Sequence, residues 1–510
     1  LSSDHAVETT KFSPAVAWIG LFAGPLAAAA CCVFLPNQYL DAAGTLVEFD
    51  PAGRATLAAM AWMGIWWLTE AVPIYATGML PVALFPVLGI ATMKAASAPY
   101  ANPLIFLFMG GFLLALSMEK WGLGKRIALT VLQVVGTRPV NIIAGFMVTT
   151  AVLSAFVSNT ATTAMMLPIA ASIILLVKAQ GGLSNNFSIC LMLGIAYSAS
   201  IGGTATIIGS PPNVFLVSYL TDSIAEPYRV ELSFARWLQF GVPLAVVFLP
   251  IVFLLLTRVL YPVKDQTIEG SDRLIRGELD SLGPANRGEL ASFVVFVATA
   301  TLWMSRPALA GVSLDLDGRN WMPLADLTDA GIAMMAALVL FVIPVDVRRR
   351  IFVLDWETAL KLPWGILILF GGGLSLAAAV QANGVAEFMG SHTHFVRGLP
   401  PVLVVLCVSA GMIFLTELTS NTATSATVIP ILGAVASGLD IHPYLLVFPA
   451  AIAASCAFML PVATPPNAIV FATGEVSIGQ MARAGIWLNL ISIVLVTLLT
   501  MLLIEPLLVR

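Results

Sequence analysis

Ser158-Asn159-Thr160-Ala161-Thr162 interrupts a long apolar stretch, and the same five residues return as Ser420-Asn421-Thr422-Ala423-Thr424, 262 positions later. Pro168 and Pro430, Gly110-Gly111 and Gly372-Gly373, and Gly122 and Gly384 share that offset. A second motif, Pro211-Pro212-Asn213, returns as Pro465-Pro466-Asn467 at an offset of 254. Two ordered motifs present in both halves mark an internal repeat, and a repeat decides the architecture before any local reading does.

The surroundings of these motifs exclude a water-facing surface. The chain has 510 residues, 59% hydrophobic and only 10% charged, against about 25% charged in an ordinary soluble domain. Apolar blocks such as 15–35, 240–256 and 402–415 approach or reach the roughly 20 residues that cross a bilayer. This is the composition of an all-α polytopic membrane protein. It excludes a soluble enzyme and a secreted scaffold. A net charge of −4 carries no nucleic-acid signal. The five cysteines, Cys31, Cys32, Cys190, Cys407 and Cys456, are odd in number and scattered, so they read as small packing residues between helices. Residues 1–13 are polar without a basic, cleavable leader pattern, so 15 onward reads as a retained first span.

Uninterrupted spans are predicted near 15–35, 55–73, 76–92, 103–119, 238–260, 288–306, 327–345, 363–382 and 484–505. Four further stretches are broken. Those at 139–177 and 400–437 carry the Ser-Asn-Thr motifs, and each half is too long to be part of one crossing. They fit re-entrant helical hairpins; two full crossings each would also return the chain to the same side. Those at 187–219 and 443–473 carry Pro-Pro-Asn, which removes two donors and suits one crossing with an unwound centre. The sum is about eleven crossings and two hairpins. Five crossings separate the hairpins, so the second enters from the opposite face. That is an inverted repeat, the signature of secondary transporters with a midplane site between broken helices. The chain divides into 1–54 with the first span, a first repeat at 55–261, a charged loop at 262–287 and a second repeat at 288–510. With this count Lys120, Lys125, Arg126, Arg138, Lys178, the basic residues around 258–287 and Arg348-Arg349-Arg350 all fall on the cytoplasmic side. The amino terminus is then inside and the carboxyl terminus outside.

Irregular backbone at membrane depth survives only where protein or a wet cavity satisfies it. A hairpin tip offers carbonyls from one helix end, which suit a cation, and N–H groups from the next, which suit an anion. Ser158, Asn159, Thr160 and their counterparts Ser420, Asn421 and Thr422 add neutral oxygens and amides. Ser154 and Thr416, one turn earlier, add hydroxyls to the same stripe. The tips and the Pro-Pro-Asn segments hold no Arg, Lys or His. A bound dianion must then be balanced by helix ends and co-bound cations, because unpaired buried charge is costly. Neutral oxygens suit sodium. Glu70, Glu119 and Glu417 are alternative proton sites, but they read first as groups that tie down helix ends or loops.

These motifs resemble the divalent anion/sodium symporter family, the sodium/dicarboxylate cotransporters, along most of the chain. Trp66-Trp67-Leu68-Thr69-Glu70-Ala71-Val72-Pro73 is similar to its early signature. The stretch from Ser455 through Thr464-Pro465-Pro466-Asn467 to Val470 is similar to its late one. The resemblance implies an elevator-type homodimer in the bacterial inner membrane that couples sodium to a small divalent anion. The usual cargo is succinate, malate or fumarate, sometimes citrate or sulfate; a sodium-independent exchanger on the same scaffold is the rival reading. It implies one sodium site around Ser154, Ser158, Asn159 and Gly209, and a second around Thr416, Ser420, Asn421 and Ala463. Substrate carboxylates would meet Ser158, Asn159, Thr160, Ser420, Asn421 and Thr422, with Ser210, Pro211, Thr464 and Pro465 nearby.

Other features carry less. Gly122-Leu123-Gly124-Lys125 lacks the spacing of a phosphate loop and reads as a helix end. His392 and His394 read as a solvated external loop. Gly371-Gly372-Gly373 reads as a close helix contact, and Trp66-Trp67 as interface anchors and packing.

Overall fold

The computed structural model describes residues 14–509 except 41–44, 180–184, 265–267, 269, 317–318, 393–397 and 440; His394 lies outside the described residues. Among them, nine helices are long and apolar enough to cross a membrane, and five shorter apolar helices accompany them. Three two-stranded antiparallel hairpins, Gln38–Leu40 with Leu46–Glu48, Leu314–Leu316 with Arg319–Trp321 and Pro344–Asp346 with Ile351–Phe352, lie in the connections.

α1 (Pro14–Phe34) lies along α2 (Pro51–Thr69) through Gly20 and Gly24. A methyl on Gly24 would sit 2.7 Å from the Trp66 ring. Small residues let helices close up where lipid supplies no hydrophobic drive. Trp66 Nε1 donates to Leu21 O at 3.3 Å and Trp67 Nε1 to Ile74 O at 3.0 Å, so both tryptophans are packing residues.

The expected span 76–92 is not one helix. It forms α3 (Ile74–Thr77) and α4 (Leu80–Leu84), then turns at Gly89 (φ 67) into α5 (Met93–Ser97). Pro81 starts the second piece because it cannot donate to the first. Gly78 sits between them, its carbonyl accepting from Tyr100 Oη at 2.5 Å. A methyl on Gly372 would lie 2.3 Å from Gly78 O, so the triple glycine does serve close packing.

The first repeat follows. α6 (Pro103–Lys120) leads into α7 (Leu123–Val135), which starts at left-handed Gly122 (φ 75). α8 (Pro139–Ser154) and α9 (Asn159–Ala179) are the hairpin arms. α10 (Asn185–Thr204) and α11 (Pro211–Ser218) are one crossing broken at 205–210. α12 (Phe234–Leu254) ends in a π-helical turn, Leu255–Leu260. The connection 262–287, expected as a loop, carries α13 (Ser271–Ser281). α14 (Arg287–Ala310), α15 (Asp329–Val342) and the short α16 (Trp356–Ala359) come next and lead to the counterpart of α6.

The chain then runs through α17 (Trp364–Ala382), α18 (Val385–Ser391) and the arms α19 (Pro401–Leu418) and α20 (Asn421–Ala436). α21 (Tyr444–Ala454) and α22 (Pro465–Phe471) form the second broken crossing, and α23 (Ile478–Leu499) ends in π-helical turns, Thr500–Val509. Even Gly122 recurs as left-handed Gly384 (φ 69) ahead of α18. Contacts between the halves are reciprocal: α9 and α10 pack on α22, while α20 and α21 pack on α11. Such an exchange of like surfaces is what a two-fold relation produces. α10 is buried from Phe187 to Thr204, whereas α1 and α14 turn most of their surface outward.

α7 was not legible as a span because it is amphipathic; it buries Leu123, Ala128, Leu129 and Leu132 and presents Lys125 and Arg126 to the 262–287 connection. Lys125 Nζ meets Glu278 Oε2 at 2.9 Å. Arg126 pairs through Nε and Nη2 with both oxygens of Glu289, each at 3.1 Å. Glu289 is buried and also completes the Asn286 capping box of α14. Removing one partner of a buried pair costs about 3 kcal/mol or more, whereas replacing both is far cheaper. Arg126→Met should therefore lower the melting temperature in detergent clearly, and Arg126→Met/Glu289→Met should recover most of the loss. An unchanged single variant would show that the pair does not anchor α7.

Of the cysteines, Cys190 and Cys456 are buried between helices as expected, but Cys32 and Cys407 are exposed on the outer surface.

Candidate functional site

Each hairpin tip is a break between two helices that cannot close their own hydrogen bonds there. At the first tip, Ser154 Oγ lies 2.6 Å from Asn159 Oδ1 and 2.8 Å from Ala199 O. At the second, Thr416 Oγ1 lies 2.6 Å from Asn421 Oδ1 and 3.1 Å from Ala454 O. A hydroxyl has one proton, so in each triplet it can donate to only one of the two carbonyl-type oxygens beside it. A cluster of neutral oxygens that shares one hydroxyl proton is an arrangement that a cation completes. Ser154 and Thr416 are fully buried, whereas Ser158, Asn159, Ser420, Asn421 and Thr422 are half-buried and Thr160 is exposed. The hydroxyls therefore sit deeper than the tip residues.

Backbone carbonyls crowd the first cluster. A methyl on Gly203 would lie 2.7 Å from Asn159 Oδ1 and 3.0 Å from Gly209 O; one on Gly209 would lie 2.7 Å from Gly203 O and 2.9 Å from Ala155 O. Only glycine fits at either position, and both bring carbonyls beside the tip. Thr206 ties the loop down, with Oγ1 donating to Ala155 O and accepting from Gly209 N at 3.1 Å. Gly203, Ala155 and Ala199 were not singled out from sequence, because they take part through backbone carbonyls that leave no side-chain signal; Thr206 takes part through its hydroxyl.

The second cluster is held differently. Glu417, at the position of Ala155, accepts from the backbone N–H of Phe458 at 2.7 Å, Met459 at 2.9 Å and Leu460 at 3.1 Å, and from Asn489 Nδ2 at 2.7 Å. It ties down the broken segment before α22, as the sequence reading expected of these acids. Ala463 is buried in that same segment.

Ser210 and Thr464 are equivalent in sequence but not in contacts. Both precede their half-helices in extended conformation. Thr464 Oγ1 caps α22 by accepting from Asn467 N at 3.3 Å. Ser210 Oγ instead meets Ser455 Oγ at 2.8 Å, joining the two broken crossings directly. Pro211 is half-buried and Pro465 exposed.

The anion side of the site is the start of α9 and of α20. Ser158 Oγ takes Ala161 N at 3.2 Å, and the carbonyls of Ser158 and Ser420 take Thr162 N and Thr424 N. The earlier N–H groups of each helix have no intrahelical acceptor, the usual opening for an anion at a helix start. The tip segments add no basic side chain to this. A neutral-oxygen cluster and a helix start without intrahelical acceptors thus lie side by side once in each half.

Residues 26–509 match the family described as the sodium:sulfate symporter transmembrane region. The chain belongs to this family. Among its relatives is the sodium-dependent dicarboxylate transporter SdcS of Staphylococcus saprophyticus, 39% identical over 501 residues, covering 96% of this chain and 92% of the relative. SdcS of Staphylococcus aureus strain USA300 is 40% identical over 489 residues, covering 94% and 90%. The fold is also similar to that of the Alcanivorax borkumensis YdaH transporter, with a TM-score of 0.58 at 13% identity, covering 95% of this chain and 98% of that one. Members of the sodium:sulfate symporter family are transporters, and the expectation that this chain is not an enzyme stands on that membership.

Proposed function

We propose that the protein is a sodium-coupled symporter of small divalent anions, with C4-dicarboxylates such as succinate, malate and fumarate as cargo. The observation that carries the reading is the pair of neutral-oxygen clusters, Ser154–Asn159–Ala199 and Thr416–Asn421–Ala454, each with one hydroxyl between two carbonyl-type oxygens. The names of the relatives support sodium and a dicarboxylate. The first sodium is assigned to Ser154, Ser158, Asn159 and Gly209, the second to Thr416, Ser420, Asn421 and Ala463. Carboxylates are assigned to the tips, Ser158, Asn159 and Thr160 with Ser420, Asn421 and Thr422, next to Ser210, Pro211, Thr464 and Pro465.

In this cycle sodium binds first and neutralises carbonyls that would otherwise repel an anion. The dianion then meets the free N–H groups of α9 and α20. The loaded repeat arms move as an elevator within a homodimer, and the unloaded arms return. The division at 54, 261 and 287, the bacterial inner membrane with its lipids, the inside amino terminus and the outside carboxyl terminus belong to the same reading.

Purified protein in proteoliposomes should accumulate succinate under an inward sodium gradient and not under an equal choline gradient. Uptake indifferent to sodium, with counterflow intact, would establish an exchanger and sink the symport reading.

A further inference from the structure

Among the buried side-chain oxygens without a partner, Asn213 Oδ1 and Asn467 Oδ1 form a repeat-related pair. Both side chains are 0% exposed. In each, one amide nitrogen holds two carbonyls of the broken crossing. Asn213 Nδ2 donates to Gly203 O at 3.0 Å and Thr206 O at 2.8 Å. Asn467 Nδ2 donates to Ala457 O at 3.4 Å and Leu460 O at 3.1 Å. All three positions keep the offset of 254. The sequence reading used Pro-Pro-Asn only for its helix-breaking prolines, and no role above uses the asparagine.

A buried amide oxygen left unpaired is destabilising, and here it is retained twice. An apolar residue would fill the same space without that penalty, so the amide is there for what its nitrogen does. It clamps the turn. Gly203 O, which it holds, is one of the carbonyls that crowd Gly209 beside Asn159. Thr206, the other acceptor, bridges to Ala155 O at the tip. In the second half Leu460 is gripped from both sides, by Asn467 at its carbonyl and by Glu417 at its N–H. An unpaired oxygen among carbonyls also makes each region more negative, and a cation relieves this.

We propose that Asn213 and Asn467 are positioning residues, one for each cation site. They hold the turns 203–206 and 457–460, which lead to the assigned ligands Gly209 and Ala463, in place, so that they set sodium affinity rather than substrate affinity. This rests on the sodium-coupled reading above.

The test uses full-length protein with Asn213→Ala, Asn467→Ala and the milder Asn213→Ser and Asn467→Ser, each of which keeps one donor. Each alanine variant should raise the sodium half-saturation of succinate uptake fivefold or more, with serine intermediate. Succinate half-saturation at saturating sodium should stay within twofold. The rise in melting temperature on exchanging choline for sodium, a linkage effect of cation binding, should shrink over and above any loss of melting temperature in choline from the two carbonyls left without a donor. Wild-type sodium half-saturation in the alanine variants overturns the proposal. So does a loss of stability in choline, in alanine and serine variants alike, that no sodium concentration rescues, because that is a purely structural role. A wild-type protein with neither sodium-dependent uptake nor a sodium-dependent melting shift overturns the coupled reading itself.

Discussion

Asn159→Ala and Asn421→Ala should each lower sodium-driven succinate uptake about ten- to a hundredfold, and the double variant should be inactive. The fold tolerates either change. When Asn159 Oδ1 is removed, the Ser154 hydroxyl still has Ala199 O at 2.8 Å. Thr416 likewise keeps Ala454 O at 3.1 Å. No buried donor is stranded, so the stability loss is about 1 kcal/mol, the net value of one neutral hydrogen bond. The cation loses far more. A polar contact to a charged group contributes about 1.5–3 kcal/mol, and each 1.4 kcal/mol is tenfold in affinity. Effects at separate sites add, so two losses take uptake below detection. Uptake assays normalised to membrane-inserted protein decide this. Normal transport by both single variants would refute the tip assignment.

Much of this site was readable because its side chains are conspicuous. Short polar residues amid apolar flanks, repeated at 262 and 254, located the tips and the broken crossings. The hydroxyls one turn earlier followed from helical spacing, and the structure brings both onto their asparagines. What stayed hidden has three physical causes. Carbonyl groups such as those of Ala199, Gly203 and Ala454 belong to every residue and mark none. Amphipathic helices such as α7 and α13 mix charge with apolar positions, so a search for unbroken apolar runs passes over them. Over 76–92 the reverse occurred. The run is apolar enough to read as a span, but Gly78, Pro81 and Gly89 punctuate it, and the backbone obeys them.

The two halves also differ where their sequences diverge, and Glu417 is the sharpest difference. Four donors converge on it: three onto Oε1, from Phe458, Met459 and Asn489, and one onto Oε2, from Leu460. Donors alone surround it, which is the partner set of an ionised carboxylate. Its counterpart in the first half is Ala155. The second oxygen cluster therefore has a carboxylate one residue from Thr416, and the first has none. At an effective dielectric of about 20 two opposite unit charges attract by about 4 kcal/mol at about 4 Å, falling in inverse proportion to distance, so a carboxylate beside the cluster strengthens its hold on a cation. Glu417→Gln keeps the shape and the three contacts at Oε1, and opposes only Leu460 N with an amide nitrogen. The variant should fold with a modest loss of melting temperature, and its sodium half-saturation should rise about tenfold or more. Glu417→Ala strands four donors, two of them fully buried, at about 1–3 kcal/mol for each buried one, and should not yield stable protein. Asn159→Ala/Glu417→Gln should then be weaker than either parent, because the two changes act on different clusters. A glutamine variant with wild-type sodium half-saturation would mean that Glu417 serves only to hold the 458–460 backbone, and that the cation is drawn to both halves by neutral oxygens alone.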